Sequence, residues 1–332
     1  MRLLQAMAGA RHGGAEAFFE RFAAAMQRAG TEQLALVRHE ERAARLAAAG
    51  VPVRTLRFGG ALDLATRWRF GAILRAWRPD VVLTWMSRAT SACPRGRFVH
   101  VARLGGYYDL RRYRACDHLV GNTRDIVAWM VRQGWPAERA HYLPNFVTVT
   151  AAARLERPEG VPLALALGRL HRNKAFDVLI DAAFAFPELH LWIAGEGPER
   201  ATLEARAAPL GERVRFLGWR DDTASLLATA DMLVCPSRHE PLGNVVIEAW
   251  AAGRPVVAAA SVGPAALVRD GETGLLVPVN DAAALAAAMR RLAEDAALAR
   301  RLAEAGRHAY EAEFTEEAVV ARWRDFLESV AR

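Results

Sequence analysis

The feature that most restricts the fold is an alternation. Short apolar runs recur along the chain with amphipathic stretches between them. In the first half RLLQAM, LALV, VPVRTL, DVVLTW, RFVHVA and DHLVG read as strands, with helical segments near 14–29, 40–49, 61–78 and 122–133. Strands apolar on both faces and separated by helices give parallel β-α-β units rather than meanders. A second series, VPLALALG, LHLWIAG, RVRFLG, DMLVCP and RPVVAA, follows a proline-bearing stretch at 144–161 that has no period and reads as a linker. The expected class is therefore α/β: two doubly wound domains, 1–150 and 151–313, then a helix at 314–332. A chain of 332 residues is long enough for two such cores. Ligands of these sheets bind where the strands end, here in the expected cleft between the domains.

Composition removes several alternatives. With 52% hydrophobic and 24% charged residues, the chain is neither disordered nor, lacking any apolar stretch of about 18 residues, membrane-spanning. The start, MRLLQAMAGARHGG, has too short an apolar region for a signal peptide and reads as a first strand. Three widely spaced cysteines, Cys93, Cys116 and Cys235, form no CxxC pair, which fits a reducing cytoplasm and neither a zinc site nor a disulfide framework. Charge is uneven. Residues 1–150 hold 23 arginines against 11 acids, a balance of +12, and the remainder carries −5. A basic first half suits an anionic substrate or surface, although arginine can simply decorate a solvated face.

One letter stands out in GRLHRNKAFDVLIDA, residues 168–182. Of 44 basic residues in the chain, Lys174 is the one lysine. The segment runs from the end of a buried strand into an amphipathic helix expected to start near Lys174. Backbone N–H groups and a positive helix dipole there make an anion site. Arginine grips bidentately, whereas an ammonium turns its donors toward several phosphate oxygens, so Arg169 and Lys174 can bracket a diphosphate. The alternative is a solvated surface turn.

The second segment is RHEPLGNVVIEAWAAGRPVVA, residues 238–258. Glu240 falls in a loop after a strand, and Glu248 about one turn into a helix. Pro241, Leu242, Gly243 and Asn244 form a turn that presents bare amides at the helix start. Ionised carboxylates in these places can accept from sugar hydroxyls and from a ribose diol. An ordinary capping acid and a surface glutamate are the bland reading. Glu248, flanked by Ile247 and Ala249, is expected to have a partner, since an unpaired buried charge is costly.

Together with GGAE (13–16), YLPNFV (142–147), AGEGPER (194–200), FLGWRDD (216–222) and DGETGLLVPVND (270–281), these segments resemble the family 4 retaining glycosyltransferases of the GT-B type over nearly the whole chain. The resemblance implies two Rossmann-like domains facing across a cleft, the first binding acceptor and the second a nucleotide-diphosphate sugar. It further implies that the C-terminal helix crosses back to the first domain. By resemblance Arg169 and Lys174 bind the donor diphosphate, Glu240 the donor sugar, the amides of Leu242, Gly243 and Asn244 the phosphate and sugar, and Glu248 the ribose. The loop at Trp219 and Arg220 meets the base, and Gly13 with Gly14 lets the first loop approach the diphosphate. Arg169, Lys174 and Glu240 form the expected catalytic set.

On the acceptor side the pattern departs from the family. GRFVHVARLGGYYDL places LeuGlyGly where a histidine is common, so His100 falls inside a strand and Arg103 at its end. The acceptor-side candidates are Arg103, His100, Tyr107 and Asn122. RLGGYY, TWMSRA and CDHLVGNT are similar to bacterial lipopolysaccharide-core and glycolipid transferases, which implies envelope polysaccharide synthesis. Arginine mixed with aromatics at 57–79 and in YYDLRRYR (107–114) suits an anionic membrane face or a phosphorylated glycolipid. The expected place is the cytoplasm, with peripheral contact to the inner face of the membrane. Nucleic acid would not explain the glutamates. No D-x-D triplet occurs, so neither metal nor cofactor is expected. An epimerase of the same fold and a non-catalytic binder of anionic glycans or membranes remain alternatives. GGAE is not GxGxxG, which disfavours a dinucleotide oxidoreductase.

Overall fold

Two parallel sheets form among the described residues, 1–11, 13–59, 63–148, 150 and 152–331, of a computed structural model. The first holds β1 (Arg2–Met7), β2 (Glu32–Val37), β3 (Val53–Thr55), β4 (Val81–Trp85), β5 (Val99–Leu104), β6 (His118–Gly121) and β7 (Ala140–Tyr142), in the order β3-β2-β1-β4-β5-β6-β7. The second holds β8 (Leu163–Leu167), β9 (His190–Ala194), β10 (Val214–Gly218), β11 (Met232–Cys235), β12 (Val256–Ala259) and β13 (Leu275–Val277), in the order β10-β9-β8-β11-β12-β13. Strand order reverses once in each sheet, between β1 and β4 and between β8 and β11. At such a point neighbouring loops diverge and leave a crevice at the strand ends.

Strand β8 shows why the apolar runs are continuous. Its Ala164 and Ala166 enter the core on one face of the sheet, while Leu163, Leu165 and Leu167 enter the core on the other. A strand covered by helices on both sides has no solvent face to make polar.

The chain divides into two compact units, Met1–Asn145 with Glu316–Arg332, and Phe146–Thr315. The helix Glu316–Val330 belongs to the first unit, where it packs on the helix Gly14–Arg28. Trp323 meets Phe22 at 5.0 Å between ring centroids, and Arg28 bonds Glu316 at 2.5 Å. Some elements differ from the sequence reading. The segment expected to be helical over 61–78 is helical from Leu64 to Trp77, with Asp63 capping the Thr66 amide at 2.9 Å. Residues 61 and 62 lie outside the described residues. A helix, Met86–Ala92, leaves β4 without a loop, and the tail after 281 is three helices, Ala282–Glu294, Ala296–Glu313 and Glu316–Val330.

Candidate active site

In the second unit, the two loops that leave β8 and β11 meet at the reversal of strand order. After β8 the chain makes a short 3-10 turn, Arg172–Lys174, and only then the helix Phe176–Phe184, so Lys174 lies before the helix rather than at its start. His171 Nδ1 accepts from the Asn173 amide at 3.2 Å, and Ala175 turns through φ 54°. The second loop is tied to this turn. The amides of Arg238 and His239 donate to the Asn173 carbonyl at 2.8 and 3.2 Å. The Arg238 guanidinium bridges to Asp177 at 2.8 and 2.6 Å. These bonds bring Lys174 Nζ onto Glu240 Oε2 in a hydrogen-bonded ion pair. The other oxygen, Oε1, accepts from the Gly243 amide at 3.3 Å.

The same loops carry groups that have no internal partner among the described residues. Arg169 is exposed, and among the described residues its side chain makes no hydrogen bond or ion pair. Among the described residues the amides of Leu242 and Asn244, at the amino end of the helix Asn244–Ala251, donate to no backbone group outside the helix. Open amides at a helix amino end, facing a loop that carries Lys174 and Arg169, can form an anion-binding arrangement. Glu248 is half-buried on that helix rather than enclosed among the apolar neighbours Ile247 and Ala249.

The neighbouring loops hold these groups in place. Gly168 donates to Ala194 at 3.0 Å, Leu170 to Glu196 at 3.0 Å and Gly195 to Gly218 at 2.7 Å, which stitches the loops after β8, β9 and β10 together. A Cβ on Gly195 would stand 1.9 Å from the Gly168 carbonyl oxygen, and Gly195 itself sits at φ 147°. No other residue fits there. Beyond β10, Trp219 is 75% exposed and bonds Asp221 at 3.0 Å, while Arg220 pairs with Asp222 at 2.7 and 2.5 Å. Their side-chain polar groups are engaged locally, leaving the ring surface of Trp219 open.

In the first unit the expected acceptor-side residues have separate surroundings. Arg103, at the end of β5, is buried between the rings of Trp85 and Phe18, 4.9 and 5.1 Å from their centroids. It donates to Asn145 Oδ1 at 2.5 Å, and burial pulls its pKa down to about 10. Its Nε has no partner among the described residues. His100 lies near the start of the same strand, bonded to Thr84 at 3.0 Å inside the core, where burial pushes it down to about 4. It does not share a cluster with Arg103. Tyr107 donates to Asp125 at 2.5 Å on the outer side, and Asn122 is buried with its Oδ1 unpaired among the described residues.

Glu16 was not singled out in the sequence. Buried beside the loop after β1, it accepts from the Ala10 amide at 2.8 Å. A Cβ on Gly13 would lie 2.3 Å from its Oε2, and one on Gly9 2.2 Å from its Oε1. Gly13 thus makes room for a carboxylate, whereas a Cβ on Gly14 would meet nothing within 4 Å. The available signal is an acid in the first helical turn, two residues after a glycine pair.

Comparison with known proteins identifies the architecture. Residues 12–151 match the family described as Glycosyltransferase Family 4, and residues 161–295 match Glycosyl transferases group 1. The lipopolysaccharide core biosynthesis glycosyltransferase LpsE of Rhizobium meliloti is 36% identical over 329 residues, covering 96% of both chains. The chain belongs to glycosyltransferase family 4. A second lipopolysaccharide core glycosyltransferase of the same organism, LpsD, is 33% identical to this family member over 95% of both chains. The crystal structure of Anabaena HepE in complex with UDP superposes with a TM-score of 0.83 at 20% identity, over 99% of this chain and 100% of that one. The transferase therefore has the GT-B fold, and the paired loops after β8 and β11 are its candidate donor site.

Proposed function

We propose that the enzyme transfers a hexose from a UDP- or GDP-sugar to a hydroxyl of a glycan or glycolipid acceptor in lipopolysaccharide-core or related envelope synthesis. The transfer retains anomeric configuration and needs no metal ion. The observation that carries this reading is the Lys174–Glu240 pair at the reversal of strand order, on loops that also carry exposed Arg169 and the amides of Leu242 and Asn244, which have no backbone partner outside the helix among the described residues. HepE is seen in complex with UDP-glucose, and LpsE and LpsD are named for lipopolysaccharide core biosynthesis, which supports the donor and acceptor classes.

As a glycosidic bond to a nucleoside diphosphate breaks, negative charge grows on the leaving phosphate. Lys174 and Arg169 with the helix amides stabilise that charge where it develops, which lowers the barrier more than it tightens the ground state. The ammonium leaves Glu240 for the phosphate, and Glu240 then accepts from hydroxyls of the transferred sugar. Glu248 takes the ribose diol, and Trp219 with Arg220 borders the base. The acceptor hydroxyl attacks on the face the leaving group vacates and passes its proton to a phosphate oxygen. The first unit, with Glu16 beside the loop after β1 and Arg103 at the end of β5, holds the acceptor.

The helix Leu64–Trp77 supports contact with an anionic bilayer from the cytoplasmic side. It exposes Leu64 (73%) and Trp68 (70%) beside Arg67 and Arg69, a pairing of apolar and cationic groups matched to a lipid interface. No helix among the described residues is long and apolar enough to cross a membrane.

The deciding experiment supplies radiolabelled UDP-glucose, UDP-galactose and GDP-mannose with deacylated lipopolysaccharide core in the presence of EDTA. Label is expected in the glycan from one donor, with the anomeric configuration kept. A nucleotide sugar epimerised without acceptor, or turnover abolished by EDTA, overturns the proposal.

A further inference from the structure

A cavity of about 670 Å³ lies wholly within the first unit, between the crossover that follows β5 and the end of the helix Arg124–Arg132. This volume is in the range of small-molecule sites, roughly 300–1,000 Å³. Its wall combines Tyr107, Trp129 and Trp135 with Arg111, Arg114 and Arg139.

The polar ends of two of the rings are already committed. Tyr107 donates to Asp125 at 2.5 Å, and Trp135 Nε1 donates to the Arg139 carbonyl at 3.0 Å. Tyr107 and Trp129 meet edge to face, 5.5 Å between centroids and 81° between planes. What these rings still offer is carbon surface, which matches the C–H face of a pyranose better than it matches a hydrogen-bonding chain. Two of the arginines are likewise engaged. Arg111 bonds Asp109 at 2.8 Å, and Arg139 bonds the carbonyls of Cys116, at 3.0 Å, and Asp117. Arg114 differs. It is exposed, and among the described residues its side chain has no hydrogen bond or ion pair.

We infer that this hollow binds a phosphorylated sugar, the ring lying on Trp129 and Tyr107 and the phosphate held by Arg114. A guanidinium grips a phosphate with two parallel N–H donors, and a neutral sugar gives it nothing of equal strength to hold. In function the site would anchor an anionic sugar of the acceptor while another part of that acceptor reacts. That role rests on the acceptor reading above; the binding itself does not.

The test is calorimetric titration of the whole chain, with excess UDP present so that the donor site is filled. The probes are mannose 6-phosphate, mannose, inorganic phosphate, and phosphatidylcholine vesicles with and without lipid A. Mannose 6-phosphate is expected to bind, with mannose and phosphate each weaker by about tenfold or more. Arg114→Gln and Trp129→Leu are each expected to weaken it by about tenfold, the size of a lost charge-assisted bond. Arg114 is exposed, so its variant keeps the test valid if Trp129→Leu does not fold. Lipid A vesicles held through the same two residues identify a glycolipid headgroup as the source. Retention of the soluble sugar phosphate alone identifies a free phosphoglycan. Equal binding of inorganic phosphate, no binding of either phosphorylated probe, or binding untouched by both variants overturns the inference. Loss of sugar transfer with this binding intact counts against the activity and not against the pocket.

Discussion

At the scale of single residues, the account turns on what an ammonium does that a guanidinium does not. Lys174 reaches Glu240 from a tight turn fixed by His171 and Asn173. A Cβ on Gly168 would stand 3.2 Å from its Cε, so the aliphatic stem is closely packed as well. A planar fork is bulkier and aims its donors differently. Lys174→Arg is therefore expected to lose most turnover, by about a hundredfold or more, with the fold intact by circular dichroism. Wild-type turnover in that variant would show that the lone lysine is accidental. The sequence made Lys174 and Glu240 visible because each stands in a segment of distinctive composition. It did not show that they touch, since 66 residues separate them and only the parallel neighbours β8 and β11 bring their loops together. Glu16 and Asn145 were overlooked for a related reason. Their importance lies in small neighbours and a buried guanidinium, not in any local pattern.

At the scale of elements, the C-terminal helix and the strands at one edge of the first sheet share a titrating contact. His118 Nδ1 and His141 Nε2 lie 3.0 Å apart, and the Phe326 ring of the helix Glu316–Val330 stands 4.5 Å from His141 and 6.1 Å from His118. Burial, with His118 adding to it, pushes His141 down to about 4. Burial and Arg139 lower His118, and Asp117 works the other way. Both rings are thus harder to protonate folded than unfolded. Their contribution is complete above the unfolded value of 6.5 and is lost as pH falls toward about 4. Melting temperature is expected to drop across that interval, and less steeply in His141→Phe, which keeps the ring packing. Parallel curves for the two proteins would remove the pair as the cause. The exposed face of the helix Leu64–Trp77 gives a second expectation. Trp68→Ser should reduce sedimentation with phosphatidylglycerol vesicles by about tenfold; undiminished binding would place any lipid contact elsewhere. Strand and helix alternation was largely legible in the sequence. β7 and β13 were not, because three-residue edge strands such as AHY and LLV carry too few residues to show a period. The helix Met86–Ala92 was missed because no polar turn separates it from β4.

At the scale of the molecule, two parallel sheets each present loops at a reversal of strand order, and the chain's charge is divided between them. The basic first half and the mildly acidic second follow the two units closely, which suits an anionic acceptor on one and a donor site built from a few chosen cations on the other. The family resemblance was legible because its segments stand in order along the chain. Donor identity was not, because the loop at Trp219 would meet a base through its backbone, and backbone carries no residue code. The most direct measurement is a crystal structure with UDP bound. Phosphate oxygens within about 3.2 Å of Lys174 Nζ, with Arg169 turned toward them and the Lys174–Glu240 contact opened, is the predicted result. A diphosphate bound elsewhere, with that ion pair still closed, would contradict it.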